Sequence, residues 1–141
     1  DTRFASDPRV VYRAAQASQP HQQPDAALKV WVRTQSPLPA DHRIHQAVLA
    51  YLSDLTLLAV SAVPHPVEFA GPGMMAASID HSMWFHRPAR ADQWLLYDQV
   101  SPSASAGLGF SFGRLFSHGQ LVASCAQEGL IRLTDPAALV R

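Results

Sequence analysis

The periodicity of this chain changes once, and the change limits what it can fold into. Ile44, Val48, Tyr51, Leu52, Leu55 and Leu58 recur at helical spacing along one stripe, predicting a helix that starts near Ala40–Asp41. The Asp41 carboxylate suits its first turn, where free amides point outward. Ala47, Ala50 and Ala59 widen the stripe until little of the helix is polar, so other structure is expected to enclose it. After Pro64, Pro66 and the Gly71-Pro72-Gly73 turn, only strand-like segments follow, near Met75–Phe85, Trp94–Val100, Gly107–Phe116 and Leu121–Leu133. The breaks at Arg87–Asp92, Ser101–Ala106 and Ser117–Gln120 hold no helical pattern, so neighbouring strands must run antiparallel. A further strand at Leu28–Arg33 precedes the helix. The pattern therefore predicts an α+β fold in which an antiparallel sheet curls round one long helix.

At 141 residues the chain fits a single domain, 1–141, able to bury about two-thirds of the surface its unfolded form exposes. Pro8, Pro20, Pro24, Pro37 and Pro39, with the polar run Gln16–Gln23, make the first forty residues loop and extended edge, and a flexible loop is expected over 13–27. Eleven basic residues balance eleven acidic ones, which argues against binding to nucleic acid or to an anionic membrane surface. The expected partner is a small molecule or another protein. No stretch reads as a membrane span of roughly 20 apolar residues, and the start has no secretory signal pattern. The single cysteine, Cys125, excludes an intramolecular disulfide and fits a reducing, cytoplasmic setting, although a small core residue would look the same. Because the sequence opens at Asp1, it is expected to have been processed or cut from something longer.

Three residues stand out against this frame. On the last strand, Leu121, Ala123, Cys125, Gln127, Gly129, Ile131 and Leu133 share a face, and Gln127 alone is polar. A buried amide without partners costs roughly 1–3 kcal/mol, so Gln127 must meet polar groups or a ligand. Asp54 lies on the flank of the helical stripe, where an enclosed helix would desolvate it and donors would have to be close. A solvent-facing carboxylate near the helix end fits the same spacing. Ser78 opens Ser78-Ile-Asp-His-Ser-Met-Trp-Phe-His-Arg-Pro88, where alternation puts Ser78, Asp80, Ser82, Trp84 and His86 on one face and Ile79, His81, Met83 and Phe85 on the other. No Gly-x-Ser-x-Gly elbow exists, so Ser78 reads as a hydrogen-bond donor, or as an ordinary strand serine, rather than a nucleophile.

The histidines offer no metal site: His42 and His45 resemble a solvated helix face beside Asp41, and His81 and His86 point apart. Phosphate loops, dinucleotide fingerprints and paired-cysteine zinc patterns are absent, and no cofactor is expected.

Taken together, Ile44-His-Gln-Ala-Val-Leu-Ala-Tyr-Leu-Ser-Asp-Leu55, the run from Ser78 to Pro88 with Trp94-Leu-Leu-Tyr97, and Val122-Ala-Ser-Cys-Ala-Gln-Glu-Gly-Leu-Ile-Arg132 resemble the C-terminal half of the acyl-CoA thioesterase II, or TesB-like, family. That resemblance implies a hot-dog fold. It also implies a catalytic trio of Asp54, Ser78 and Gln127, in which Asp54 takes a proton from a water held by the serine hydroxyl and the glutamine amide. The substrate would be a fatty acyl-CoA, with no cofactor beyond the CoA thioester itself and no covalent acyl-enzyme. Members of the family carry two hot-dog domains, so the expected protein partner is an N-terminal hot-dog domain of a longer parent, or further copies in a homo-oligomer.

Two other readings use the same fold. An acyl-CoA hydratase or dehydratase pairs an aspartate with a histidine a few positions on, whereas Asp54 is followed by Leu55-Thr-Leu-Leu-Ala59; Asp41 and His45 come nearer but lie at the helix start. A non-catalytic acyl-binding half would keep the fold without turnover.

Overall fold

The computed structural model describes residues 26–65 and 67–135, together with the backbone of residues 10–14. The elements are β1 (Val10–Ala14), β2 (Ala27–Thr34), α1 (His42–Leu57) continued by a 3-10 turn (Leu58–Ala62), β3 (Met74–Ser78), β4 (Ser82–Phe85), β5 (Leu95–Ser105), β6 (Leu108–Ser117) and β7 (Gln120–Leu133). They form one antiparallel sheet in the order β1-β2-β5-β6-β7-β3, with β4 also paired to β7. The registers set β3 against Gly129–Leu133 and β4 against Ala123–Ala126, so these two short strands lie end to end along the outer edge of β7. This is the curled sheet and single helix of a hot-dog fold.

Asp41 caps α1, accepting from the Arg43 amide at 3.0 Å and gripping the Arg43 guanidinium at 2.7 Å. Pro64, which cannot donate to a continuing helix, follows the 3-10 turn. The face of α1 turned to the sheet is His45, Leu49, Leu52, Ser53, Thr56 and Leu57. That differs from the predicted stripe, of which Ile44 and Tyr51 are 37% and 45% exposed. A helix apolar nearly all round has two stripes to offer, and the sheet takes the one carrying the small and hydroxylated residues. Glycines of the sheet let the helical segment approach closely: a Cβ on Gly129 would stand 2.5 Å from Leu58, and one on Gly109 would run into Ser61. Leu49, Leu52 and Leu57 then close the core with Val30, Val32, Leu95, Tyr97, Leu115 and Ala123. Cys125 is a core residue of the same cluster, its thiol 3.3 Å from the Tyr97 hydroxyl and pushed up in pKa by burial.

Four sequence expectations change. The segment Met75–Phe85 is two strands, because Ser78 pairs with Gly129 and Ser82 with Ala126, which leaves three residues opposite two on β7. This bulge reverses the alternation: Met83 pairs with Cys125 and packs on the core, so Trp84 turns to the face opposite Ser78. The break expected at Ser101–Ala106 is strand as far as Ser105, with a second bulge between Val100 and Ser103 that leaves Pro102 without a ladder partner. The loop expected over 13–27 gives Arg13 and Ala14 to β1 and Ala27 to β2, because Val10, Val11 and Tyr12 are strand formers with a free edge to pair on; residues 15–25 lie outside the described residues. Finally, His42–Ala62 does reach the length and mean hydropathy of a membrane span, but half of its most apolar window is buried inside the fold, as in the core helix of a packed domain.

Candidate active site

Three elements deliver one side chain each to a single point. Asp54 comes from the flank of α1 that faces β3, Ser78 from the last residue of β3, and Gln127 from the inner face of β7. Ser78 is aimed inward because it pairs with Gly129, whose missing side chain leaves room for the helix. The Ser78 hydroxyl donates to Asp54 Oδ1 at 3.2 Å, and Gln127 Nε2 donates both to Ser78 Oγ, at 2.7 Å, and to Asp54 Oδ1. Only the NH2 end of the amide satisfies this geometry, since its oxygen would face a carboxylate and a hydroxyl that has already given its proton away. Both bonds to Asp54 fall on Oδ1, which leaves Oδ2 to accept from a water.

Gln127 is fully buried, as its place among apolar residues required. Asp54 is not: its side chain is 51% exposed, the solvent-facing of the two arrangements its spacing allowed. The cause is topological, because β3 is the last strand of the sheet and no further strand among the described residues pairs beyond it. A recess of about 280 Å³ opens on that side, lined by Leu55, Leu58, Ala59, Phe69, Ala76 and Ala77 and reaching both Asp54 and Ser78.

One neighbour escapes the sequence reading. His81, placed by simple alternation on the face away from Ser78, is turned inward by the bulge: its Nε2 lies 2.8 Å from Ser53 Oγ and its Nδ1 4.0 Å from Asp54 Oδ1. The bulge itself is secured by Asp80, which accepts from the Glu128 amide at 2.8 Å, while the amides of Ile79 and Asp80 share the Glu128 carbonyl. No residue pattern announces that extra residue. The pair that a hydratase would need is occupied elsewhere: Asp41 caps the helix, and buried His45 accepts from the Ala91 amide at 3.1 Å through Nδ1. Among the described residues no group of three or more His, Cys, Asp or Glu side chains stands ready for a metal ion.

A family model described as acyl-CoA thioesterase matches residues 1–130. The chain belongs to that family. Among acyl-CoA thioesterase relatives, acyl-CoA thioesterase 2 of Haemophilus influenzae is 42% identical over 106 residues, covering 74% of this chain and 37% of the relative. Acyl-coenzyme A thioesterase 8 of Mus musculus is 45% identical over 105 residues, covering 73% and 32%. The crystal structure of acyl-CoA thioesterase II TesB2 from Mycobacterium marinum superimposes with a TM-score of 0.78 at 42% identity, covering 89% of this chain and 50% of that one. The chain thus spans about a third of the length of these curated relatives and half of that solved structure.

Proposed function

We propose that this chain is the catalytic hot-dog half of an acyl-CoA thioesterase, hydrolysing fatty acyl-CoA to a free fatty acid and CoA. The observation that carries the reading is the convergence of Ser78 and Gln127 on one oxygen of Asp54, beside an apolar recess. Two donors on Oδ1 fix the carboxylate so that Oδ2 can take a proton from water. The oxygen of that water forms the new bond to the thioester carbonyl carbon; the C–S bond then breaks, and the CoA thiolate recovers the proton from Asp54. Ser78 accepts from Gln127 and donates to Asp54, so its hydroxyl positions the base and need not be acylated. The acyl chain would occupy the recess lined by Leu55, Leu58 and Phe69. No cofactor is part of this chemistry.

The partner we infer is a first hot-dog domain of a longer parent, or else a second copy of this chain. Supporting it are the shares of the relatives that the chain covers, the position of β3 at the sheet edge, and the exposure of Met75 and Ile79 beside Ser78. A cytoplasmic location is proposed on the unpaired thiol of Cys125 alone.

The test is release of free thiol from fatty acyl-CoA by this chain, measured beside hydration of crotonyl-CoA, with intact-mass analysis of samples quenched during turnover. Thiol release without hydration and without an acylated protein is expected. Hydration would favour the hydratase chemistry, an acyl group on Ser78 would replace direct attack by water, and no turnover at all would favour an acyl-binding half.

A further inference from the structure

Of the six buried side-chain nitrogen and oxygen atoms that lack a hydrogen-bond partner among the described residues, three lie in one row beneath α1: Gln99 Nε2 on β5, Ser111 Oγ on β6 and Gln127 Oε1 on β7. All three residues are fully buried on the inner face of the sheet. Ser111 pairs directly with Gln127 across β6 and β7, a placement that sets Cβ atoms about 5 Å apart. Gln99 pairs with Gly113, which makes Ser111 its diagonal neighbour, within reach of a long side chain. The glycines on either side of Ser111, Gly109 and Gly113, keep the space beside it narrow.

Chemically the row is complementary. Its members are a donor, a hydroxyl that both donates and accepts, and an acceptor. At the far end, Thr56 on α1 donates its hydroxyl proton to Gln99 Oε1 at 2.7 Å, which obliges the Gln99 amide to present its NH2 towards Ser111. None of the three bonds another directly, and a buried water between them, accepting from Gln99 and Ser111, would donate to Gln127 Oε1. With its oxygen so engaged, Gln127 would keep its NH2 on Asp54 and Ser78, where the structure places it.

We propose that Ser111, backed by Gln99 and Thr56, is a positioning residue that sets the direction of the Gln127 amide and thereby the orientation of the Asp54 carboxylate. This rests on the hydrolase reading for its kinetic consequence but not for its geometry. Without the row, a flipped amide would set its oxygen against the Asp54 carboxylate, and the base would lose a donor that fixes it. The signal in the sequence is Gly109-Phe-Ser-Phe-Gly113, a serine between two glycines on a strand whose other inward residues are small or apolar.

The test has two arms on Ser111→Ala. In side-chain amide NMR, the Gln127 NH2 pair, assigned by its loss in Gln127→Met, is expected to be resolved and protected from exchange in the wild type. In Ser111→Ala it should shift and lose protection by about ten-fold or more. In kinetics, kcat is expected to fall about ten-fold with KM little changed, and Ser111→Ala should cost nothing further in a Gln127→Met background, as residues acting in series require. Gln99→Met serves as the second variant, with an NMR shift of the same direction and smaller size. A Gln127 NH2 pair unmoved in either folded variant overturns the proposal. A wild-type chain that releases no thiol would overturn the hydrolase reading while the NMR arm still decides this one.

Discussion

Among the described residues, Gln127 and Gln99 are the glutamines that the sheet turns wholly inward, and they end differently. Gln99 accepts the proton of Thr56, a neutral hydroxyl in the interior, and turns its NH2 towards Ser111, away from water. Gln127 reaches Asp54, whose carboxylate stands half in solvent next to an apolar recess. The same side chain, buried to the same degree, thus serves the interior in one place and holds a base at the surface in the other. Burial alone does not mark a site; what the amide touches does.

Replacing each glutamine by methionine separates the two roles. Gln127→Met is expected to lower kcat about 100-fold, because the base loses a donor that fixes it. The midpoint of thermal unfolding should stay within about 3 °C, since a buried amide gives way to an apolar chain of similar length and Asp54 and Ser78 can turn to water. Steady-state thiol release beside calorimetry reads both, and a variant with the wild-type rate would break the contrast.

Gln99→Met should do the reverse. Its rate is expected to change by less than about three-fold, while the Thr56 hydroxyl, deprived of its acceptor, costs about 1–3 kcal/mol of stability by urea titration. Adding Thr56→Val should recover much of that loss, because removing both members of a buried pair is close to neutral. A double variant as unstable as the sum of the singles would show that the Thr56–Gln99 bond is not the reason for the cost.

Two carboxylates repeat the contrast more gently. Asp92, 7% exposed, is gripped by the Arg90 guanidinium at 2.6 Å and accepts from the Leu38 amide at 2.9 Å. The guanidinium first and the amide second hold its pKa well below the ordinary carboxylate value. A carboxyl depressed in the folded state adds stability above its unfolded pKa, near 4, and loses it as the pH falls. Asp92→Asn should therefore be less stable than wild type at pH 7, with the gap narrowing as the pH drops below about 4. An equal gap at pH 7 and pH 3 would contradict the pairing. Among the described residues no such guanidinium binds Asp54, which is left to react.

Much of the fold was legible because it follows from one change of period: the helix begins where Asp41 caps it, and the strands after it have nowhere to go but antiparallel. Gln127 was legible because an amide among Ala123, Cys125 and Gly129 has to find partners. Three features were not. The buried stripe of α1 could not be chosen from a helix with apolar residues on most sides, since the choice depends on long-range contacts such as Ser53 with His81 and Thr56 with Gln99. The bulge at Ile79–His81 depends on Asp80 and the Glu128 backbone, a long-range contact that no local pattern contains. The exposure of Asp54 depends on β3 being the sheet edge, which is set by strand order and not by any residue near position 54.

The most direct measurement is kcat for thiol release from fatty acyl-CoA by Asp54→Asn, which keeps the shape of the side chain and removes its basicity. With the fold verified by thermal unfolding, a fall of about 100- to 10,000-fold is expected of a general base. A folded Asp54→Asn chain that hydrolyses at the wild-type rate would contradict the assignment of the reaction to this site.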